Sequence, residues 1–294
     1  MLFLKTSRDP SGVWAVTEAC AHVIVAGSGL AGLTCAAELA PEMRVTVFER
    51  LPVLGGADWE VDQISVLTAR VTDAGATAVC GTQALRWERS GLFAAGMAGG
   101  VCAADLLVIA TGHRPATAAE WGIGGMRCGG VISGTVATHL LASKVLPGRR
   151  PVVLGDSRLA RRVSAELLRA GAHEVIRVAP GPLADAVAAS GITLMDAVPL
   201  SVKGRPRIEA LEVMTSSGGV VTLPCDALVL AGKRLPYRNV DGALEACDTV
   251  VIAQCCEGED SDVATEQAGR AAASRVRDLL HAPSARARCG LEAM

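Results

Sequence analysis

The chain has 294 residues, a formal net charge of −2, 50% hydrophobic residues and only 3% aromatics. That length suits one large or two ordinary domains, each able to bury a core. The interspersed charges, without a basic run or basic–aromatic interleaving, argue against a nucleic-acid partner, and no window of about 18 uninterrupted apolar residues offers a membrane span.

Residues 1–20 read as an extension with a turn at RDPSG, and their apolar run is too short for a signal-peptide core, so a cytoplasmic protein is expected. A β-α-β pattern begins at His22: a buried strand over 23–26, a small-residue helix over 30–39 and a second strand over 44–48. Short alternating segments with glycine turns over 61–104 predict a small antiparallel meander. The apolar run DLLVIATG, 105–112, predicts another buried strand ending in a glycine turn.

Beyond LPGRRP the pattern returns. VVL at 152–154 predicts a strand, 157–170 a helix stopped by Gly171, and EVIRVA the next strand. VAASGITLM leads into a further strand, and 207–225 reads as a hairpin turning at Ser-Ser-Gly-Gly. DALVLAG, 226–232, repeats the apolar strand with a glycine end, and a last helix is predicted over 263–280, followed by a polar tail. One unit thus occurs twice: a β-α-β, a meander and a strand closed by Ala-Thr-Gly or Ala-Gly. The expected fold class is α/β, with two Rossmann-like dinucleotide-binding domains built of parallel sheets and antiparallel meanders.

Gly27, Gly29 and Gly32 form G-x-G-x-x-G between strand and helix. Gly27 serves the tight turn, Gly29 lets a pyrophosphate approach the backbone, and Gly32 allows close helix–strand packing. The helix start supplies N–H groups and a positive dipole end. Glu49 stands 22 residues after Gly27, where an acid can hold ribose hydroxyls.

The run HVIVAGSGLAGLTCAAELAPEMRVTVFERLPVLGG, together with LLVIATGHRP, resembles the pyridine nucleotide-disulfide oxidoreductase superfamily of flavoproteins with two dinucleotide-binding domains. ISGTVATHLLASKVLPGRRPVVLGDSRLARRVSAELLRAGA is similar to the small FAD-dependent subunits that accompany glycerol-3-phosphate, sarcosine or opine-type dehydrogenases. DALVLAGKRLPYRN and TEQAGRAAASRV resemble the strand ending the second half and the final helix of the FAD domain. The resemblance covers roughly residues 21–281. It implies an FAD-type domain from 1–115 plus 240–294 and an inserted NAD(P)-type domain over 116–239. It implies FAD, with NAD(P) as the second cofactor, and a small-molecule substrate or a partner dehydrogenase subunit, with oligomers compatible. FAD contacts fall on Gly27, Ser28, Gly29, Leu30, Ala31 and Gly32, then on Glu49, Arg50 and Gly56, and on Ala110, Thr111 and Gly112. In the second half, NAD(P) contacts fall on Gly155 and Ser157. No side-chain acid or base emerges as catalytic.

Three features depart from that pattern. Only 48 residues separate Gly56 from Asp105, a short span for walling a flavin ring. The strand DTVVIA runs into Gln254-Cys255 where the family has Gly-Asp, leaving Asp260 or Asp262 as substitutes. In GDSRLARR, Gly155 keeps the turn while Ser157 and Ala160 replace the second and third glycines. Ala160 still packs closely, whereas Ser157 intrudes where a pyrophosphate approaches, although its hydroxyl can donate to phosphate. Arg158, Arg161 and Arg162 follow. Arg177 is expected to end the next strand, where an acid would favour NAD and an arginine suits the 2′-phosphate of NADP.

Two readings stay open. One is an FAD-dependent oxidoreductase exchanging hydride or electrons with NAD(P)H or a partner subunit. The other is a non-catalytic subunit that keeps the fold as an interaction platform. The remaining polar residues add little. The ten cysteines show no C-x-x-C and no His at zinc spacing, so they read as reduced, mostly buried thiols, Cys255 and Cys256 included. His113 is the histidine nearest the expected cofactor. His22, His139, His173 and His281 have no partner at metal spacing, and no G-x-S-x-G elbow occurs.

Overall fold

A computed structural model of the chain describes residues 6–8, 14–16, 20–56, 62–181, 191–253 and 261–282. The chain divides into two compact units, Met1–Gly112 with Pro236–Met294, and His113–Leu235.

The first unit opens with β1 (Thr6–Arg8) and β2 (Trp14–Val16), an antiparallel pair. Then come β3 (His22–Ala26), α1 (Leu30–Leu39), β4 (Arg44–Phe48), α2 (Asp62–Asp73) and β5 (Thr77–Val79). A three-stranded antiparallel meander follows, β6 (Thr82–Glu88), β7 (Gly91–Gly96) and β8 (Gly100–Cys102), and then β9 (Leu106–Ile109).

The second unit contains β10 (His113–Pro115), β11 (Gly124–Gly125), β12 (Val131–Ser133), α3 (Gly134–Ala142), β13 (Pro151–Leu154), α4 (Arg158–Arg169) and β14 (Val175–Ala179). It continues with β15 (Ile192–Lys203), β16 (Ala210–Thr215), β17 (Val220–Pro224), β18 (Ala227–Leu230) and β19 (Arg234–Pro236). The chain then returns to the first unit as β20 (Val250–Ile252) and α5 (Asp262–His281).

Both units are built on the same plan. The first has a parallel sheet in the order β20-β9-β3-β4-β5, and the second runs β12-β18-β13-β14-β15 before turning antiparallel through β16 and β17. In each, the chain passes from an outer strand to a helix: from β20 to α5 in the first unit, and from β12 straight into α3 in the second. Alternate residues of the central strands supply the two cores. Val23 and Val25 pack with Leu33, Leu39, Ala273 and Val276 on the helical face, whereas Ile24 and Ala26 pack with Leu92 and Trp87 on the meander face. In the second unit Val153 and Val229 face Val163 and Leu167, while Leu154 and Leu228 face Leu211 and Val213. Burying each such aliphatic side chain contributes roughly 1.5–3 kcal/mol.

α1 is buried on nearly every side because a sheet lies beneath it and α5 lies against it. Its small residues, LAGLTCAAEL, make that possible. Gly269 of α5 comes so near that a Cβ there would stand 2.9 Å from the Cβ of Thr34.

One expectation needs correction here. The meander does not extend over 61–104: α2 occupies its first part, with Ile64, Leu67 and Val71 buried at helical spacing, and β5 joins the parallel sheet beside β4. Within 62–104 the antiparallel strands are β6, β7 and β8. The last helix and the hairpin turn stand where the sequence places them, with α5 one residue longer at each end than expected. Gln254, Cys255, Cys256 and Asp260 lie outside the described residues, and Asp262 is the first residue of α5.

Candidate functional site

The glycine turn of the first unit sits at the carboxyl end of β3, between β4 and β9. Gly27 donates its N–H to the Phe48 carbonyl at 2.8 Å and has φ +104°, and a Cβ there would overlap the Ala110 carbonyl. A Cβ on Gly32 would overlap the Gly27 carbonyl. Both glycines are therefore demanded by the fold itself. Gly29 differs. Its backbone, φ −67° and ψ −178°, suits any residue, and a Cβ there would meet no atom within 4 Å. Gly29 is also the N-cap of α1, and among the described residues no side chain caps that helix. The first turn, with Leu30, Ala31 and Gly32, thus presents its N–H groups without a side-chain acceptor, as an anion site requires.

The acid is fixed beside this turn. Glu49, only 4% exposed, accepts at Oε2 from the Ser28 N–H (3.1 Å) and the Ser28 hydroxyl (2.6 Å), and at Oε1 from the Leu51 N–H (2.8 Å). The loop after β4 folds back over the motif. Gly55 donates its N–H to the Ser28 hydroxyl at 3.0 Å, and a Cβ on Gly56 would come within 3.5 Å of Gly29 Cα. On the other side of β3, Ala110, Thr111 and Gly112 continue from β9. Thr111 donates its hydroxyl to the Tyr237 carbonyl, and Tyr237 donates its N–H to the Gly112 carbonyl at 2.8 Å. The guanidinium of Arg50 lies 5.7 Å from the Tyr237 ring centroid. Of the first-unit residues singled out by the sequence, Gly27 to Gly32, Glu49, Arg50, Gly56 and Ala110 to Gly112 gather at the carboxyl end of this sheet. Tyr237 was missed, and nothing in its spacing announces it. Cys80, close to Glu49, has its pKa raised by burial and then by that carboxylate, so it stays a thiol.

The second unit places Gly155 and Ser157 at the equivalent edge, but with different chemistry. Gly155 donates to the Val178 carbonyl at 2.8 Å with φ +114°, as Gly27 does to Phe48. Ser157 caps α4: its hydroxyl accepts from the Ala160 N–H at 3.1 Å and donates to the Ala231 carbonyl at 2.5 Å. Its side chain is thereby committed to the protein. Matching Phe48 with Val178 makes Ala179 the counterpart of Glu49, so Arg177 does not end the strand as expected. Arg177 is 3% exposed within β14, its Nη2 3.2 Å from Asp156 Oδ1, and Arg161 Nη1 lies 3.6 Å from the same oxygen. Arg161 also donates to the Asp156 carbonyl at 3.0 Å. Trp121 lines this turn: a Cβ on Gly232, which adjoins Gly155, would stand 2.7 Å from the ring.

No group of three or more His, Cys, Asp or Glu suited to a metal ion occurs among the described residues. Among them, too, no helix is long and apolar enough to cross a membrane. His113 lies at the start of β10.

Residues 25–89 match the family model described as an NAD(P)-binding Rossmann-like domain. No curated protein matches the chain by sequence. Among solved structures, the chain is similar to an NAD-dependent persulfide reductase from A. fulgidus at 15% identity and a TM-score of 0.61, over 87% of this chain and 58% of that one. It is similar to an L-proline dehydrogenase from P. horikoshii at 19% identity and a TM-score of 0.58, over 87% and 55% respectively. A thioredoxin reductase from T. acidophilum aligns at 14% identity and a TM-score of 0.62, over 87% of this chain and 96% of that chain. The chain therefore spans just over half the length of the first two and nearly all of the third. At such identities the likeness is one of fold, an α/β fold with a Rossmann-like domain.

Proposed function

We propose that the chain is an FAD-dependent oxidoreductase of the two-domain flavoprotein type, with the ADP half of FAD held at the glycine turn of the first unit. Hydride or electrons would pass between the flavin and NAD(P)H or a partner subunit. The observation that carries this reading is Gly29. The fold leaves that position open and places no demand for glycine on it, whereas a diphosphate crossing the uncapped start of α1 does.

The residues present fit the group. Leu30, Ala31 and Gly32 offer main-chain N–H donors to the diphosphate, and the α1 dipole favours its charge. Glu49 is oriented by Ser28 and Leu51 to accept from ribose hydroxyls. Arg50 and Tyr237 flank the turn and would contact the adenosine side. FAD supplies the electron-transfer chemistry when bound, and the protein's part is to bind, orient and shield it. The similarity of the fold to a persulfide reductase, a proline dehydrogenase and a thioredoxin reductase supports redox chemistry of this class.

The purified full chain, reconstituted with FAD, is expected to show flavin absorbance that bleaches on adding NADH or NADPH. A chain that stays colourless after reconstitution overturns the reading. A flavin that binds but bleaches with neither nucleotide points to a partner subunit as donor.

A further inference from the structure

We infer that Asp156 is the ribose-holding acid of the second unit, and that it selects a dinucleotide with a free 2′-hydroxyl over one carrying a 2′-phosphate. The inference rests on the reading above that a nicotinamide dinucleotide is the hydride donor, and it assigns that donor to the second unit.

The internal repeat carries the argument. In the first unit the acid stands just after the second strand, at Glu49, and the turn position Ser28 reaches it with a hydroxyl 2.6 Å away. A side chain from that turn position therefore arrives where the ribose acid acts. In the second unit the main-chain bond of Gly155 to Val178 fixes the correspondence, so that Asp156 answers to Ser28 and Ala179 to Glu49. The strand-end acid is lost, and a carboxylate appears on the turn instead. Aspartate is one carbon longer than serine, which carries its carboxylate toward the place vacated by Glu49.

The two arginines explain how that carboxylate is held. Arg177, nearly inaccessible, lies beneath it at 3.2 Å, and Arg161 from the first turns of α4 approaches at 3.6 Å while binding the Asp156 carbonyl. Both cations converge on the Asp156 carboxylate: Arg177 is buried, and Arg161, although its side chain is 38% exposed, is turned to the same oxygen. The Asp156 side chain keeps 23% of its surface exposed, enough to accept from a ribose hydroxyl. A 2′-phosphate brought to the same place would meet a carboxylate, and such like-charge juxtaposition is costly. The arginines beside this turn thus orient an acid that disfavours NADP, the opposite of what Arg177 at a strand end would have meant.

The test is calorimetric titration of the full chain, saturated with FAD to fill the first unit, with NAD+ and NADP+, which carry the same ribose groups and do not reduce the flavin. Wild type is expected to bind NAD+ about a hundredfold tighter than NADP+. Asp156→Ser should erase or invert that preference by weakening NAD+ and strengthening NADP+, while Asp156→Glu restores it. Should Asp156→Ser fail to fold for want of a counter-charge to Arg177, the wild-type ratio and Asp156→Glu still decide the matter. Equal or tighter binding of NADP+ by wild type overturns the inference and leaves the flavoprotein reading intact. Binding of neither nucleotide overturns it as well, together with the assignment of a nicotinamide donor, whereas FAD uptake reports separately on the first unit.

Discussion

Replacing Gly29 by alanine separates what the fold requires of the glycine turn from what a bound diphosphate requires. On the fold side the terms are small. The backbone at φ −67° and ψ −178° accepts a Cβ without strain, and the added methyl meets no atom within 4 Å. Alanine is a poorer N-cap than glycine, but it also lowers the entropy of the unfolded chain, and the two effects nearly cancel, to within about 1 kcal/mol. In a chain of this size that moves Tm by about 2–4 °C. On the ligand side the methyl stands over the N–H groups at the start of α1. Pushing a diphosphate off two charge-assisted hydrogen bonds, each worth about 1.5–3 kcal/mol, costs about 3–6 kcal/mol, or at least a hundredfold in affinity. Gly32→Ala is the contrasting variant, because its Cβ would overlap the Gly27 carbonyl, and such overpacking costs about 1–3 kcal/mol of stability. The assay pairs FAD titration, followed by flavin fluorescence quenching, with thermal unfolding of the apoprotein. Gly29→Ala that binds FAD within about threefold of wild type refutes the cradle argument. Gly29→Ala that unfolds as readily as Gly32→Ala refutes the claim that the fold leaves this position open.

Other expectations follow from the same geometry. Ser157→Ala removes both the α4 cap and the bond to the Ala231 carbonyl, and should cost about 1–3 kcal/mol in urea unfolding, while no loss at all would mean the hydroxyl is not engaged. His22, packed at the start of β3 with its ring nitrogens 2.7 Å from the Ala103 carbonyl and 2.9 Å from the Thr46 hydroxyl, has its pKa lowered from 6.5 chiefly by burial. The unfolded chain then takes up that proton more readily than the native one, so stability should fall as pH drops through about 6.5 toward the lower native value. His22→Gln should flatten that part of the stability–pH curve, and an unchanged slope would assign it to other groups. Burial pushes the thiols of Cys35 and Cys225 up to about 12, whereas Cys20 and Cys247 are exposed. Iodoacetamide at neutral pH, read by peptide mapping, should label Cys20 and Cys247 and spare Cys35 and Cys225, and equal labelling would contradict the buried placement.

The front of the chain was legible because its signals are local. Strand, turn, helix and acid of the first unit lie within one β-α-β, where each step is fixed by near neighbours, and α1 and β4 fall at the residues that the pattern names. Counting failed where element length changed. Arg177 follows Gly155 by the same 22 residues that separate Glu49 from Gly27, which made it look like the ribose position. But α4 has 12 residues against 10 in α1, and the true counterpart is Ala179. α2 escaped notice because only Ile64, Leu67 and Val71 mark its buried face. Tyr237 was beyond reach for another reason. It meets Thr111 across 126 residues of sequence, a closure that no local pattern encodes.

The two copies of the motif also show which positions answer to the fold and which to a ligand. Gly27 and Gly155 share the same strained turn, the same bond to the neighbouring strand and the same intolerance of a Cβ, so both copies keep glycine there. At the third position the second copy accepts Ala160, fully buried, where the first needs Gly32, so α4 leaves room at its turn for one methyl. The middle position carries no such constraint, and it is there that the copies part: Gly29 leaves α1 uncapped, while Ser157 closes the start of α4 with its own hydroxyl. The neighbouring residue diverges in step, from a serine that orients an acid to an aspartate that is the acid. One fold therefore carries two edges of different character, a helix start whose N-cap is glycine and a capped one beside a carboxylate held by two arginines.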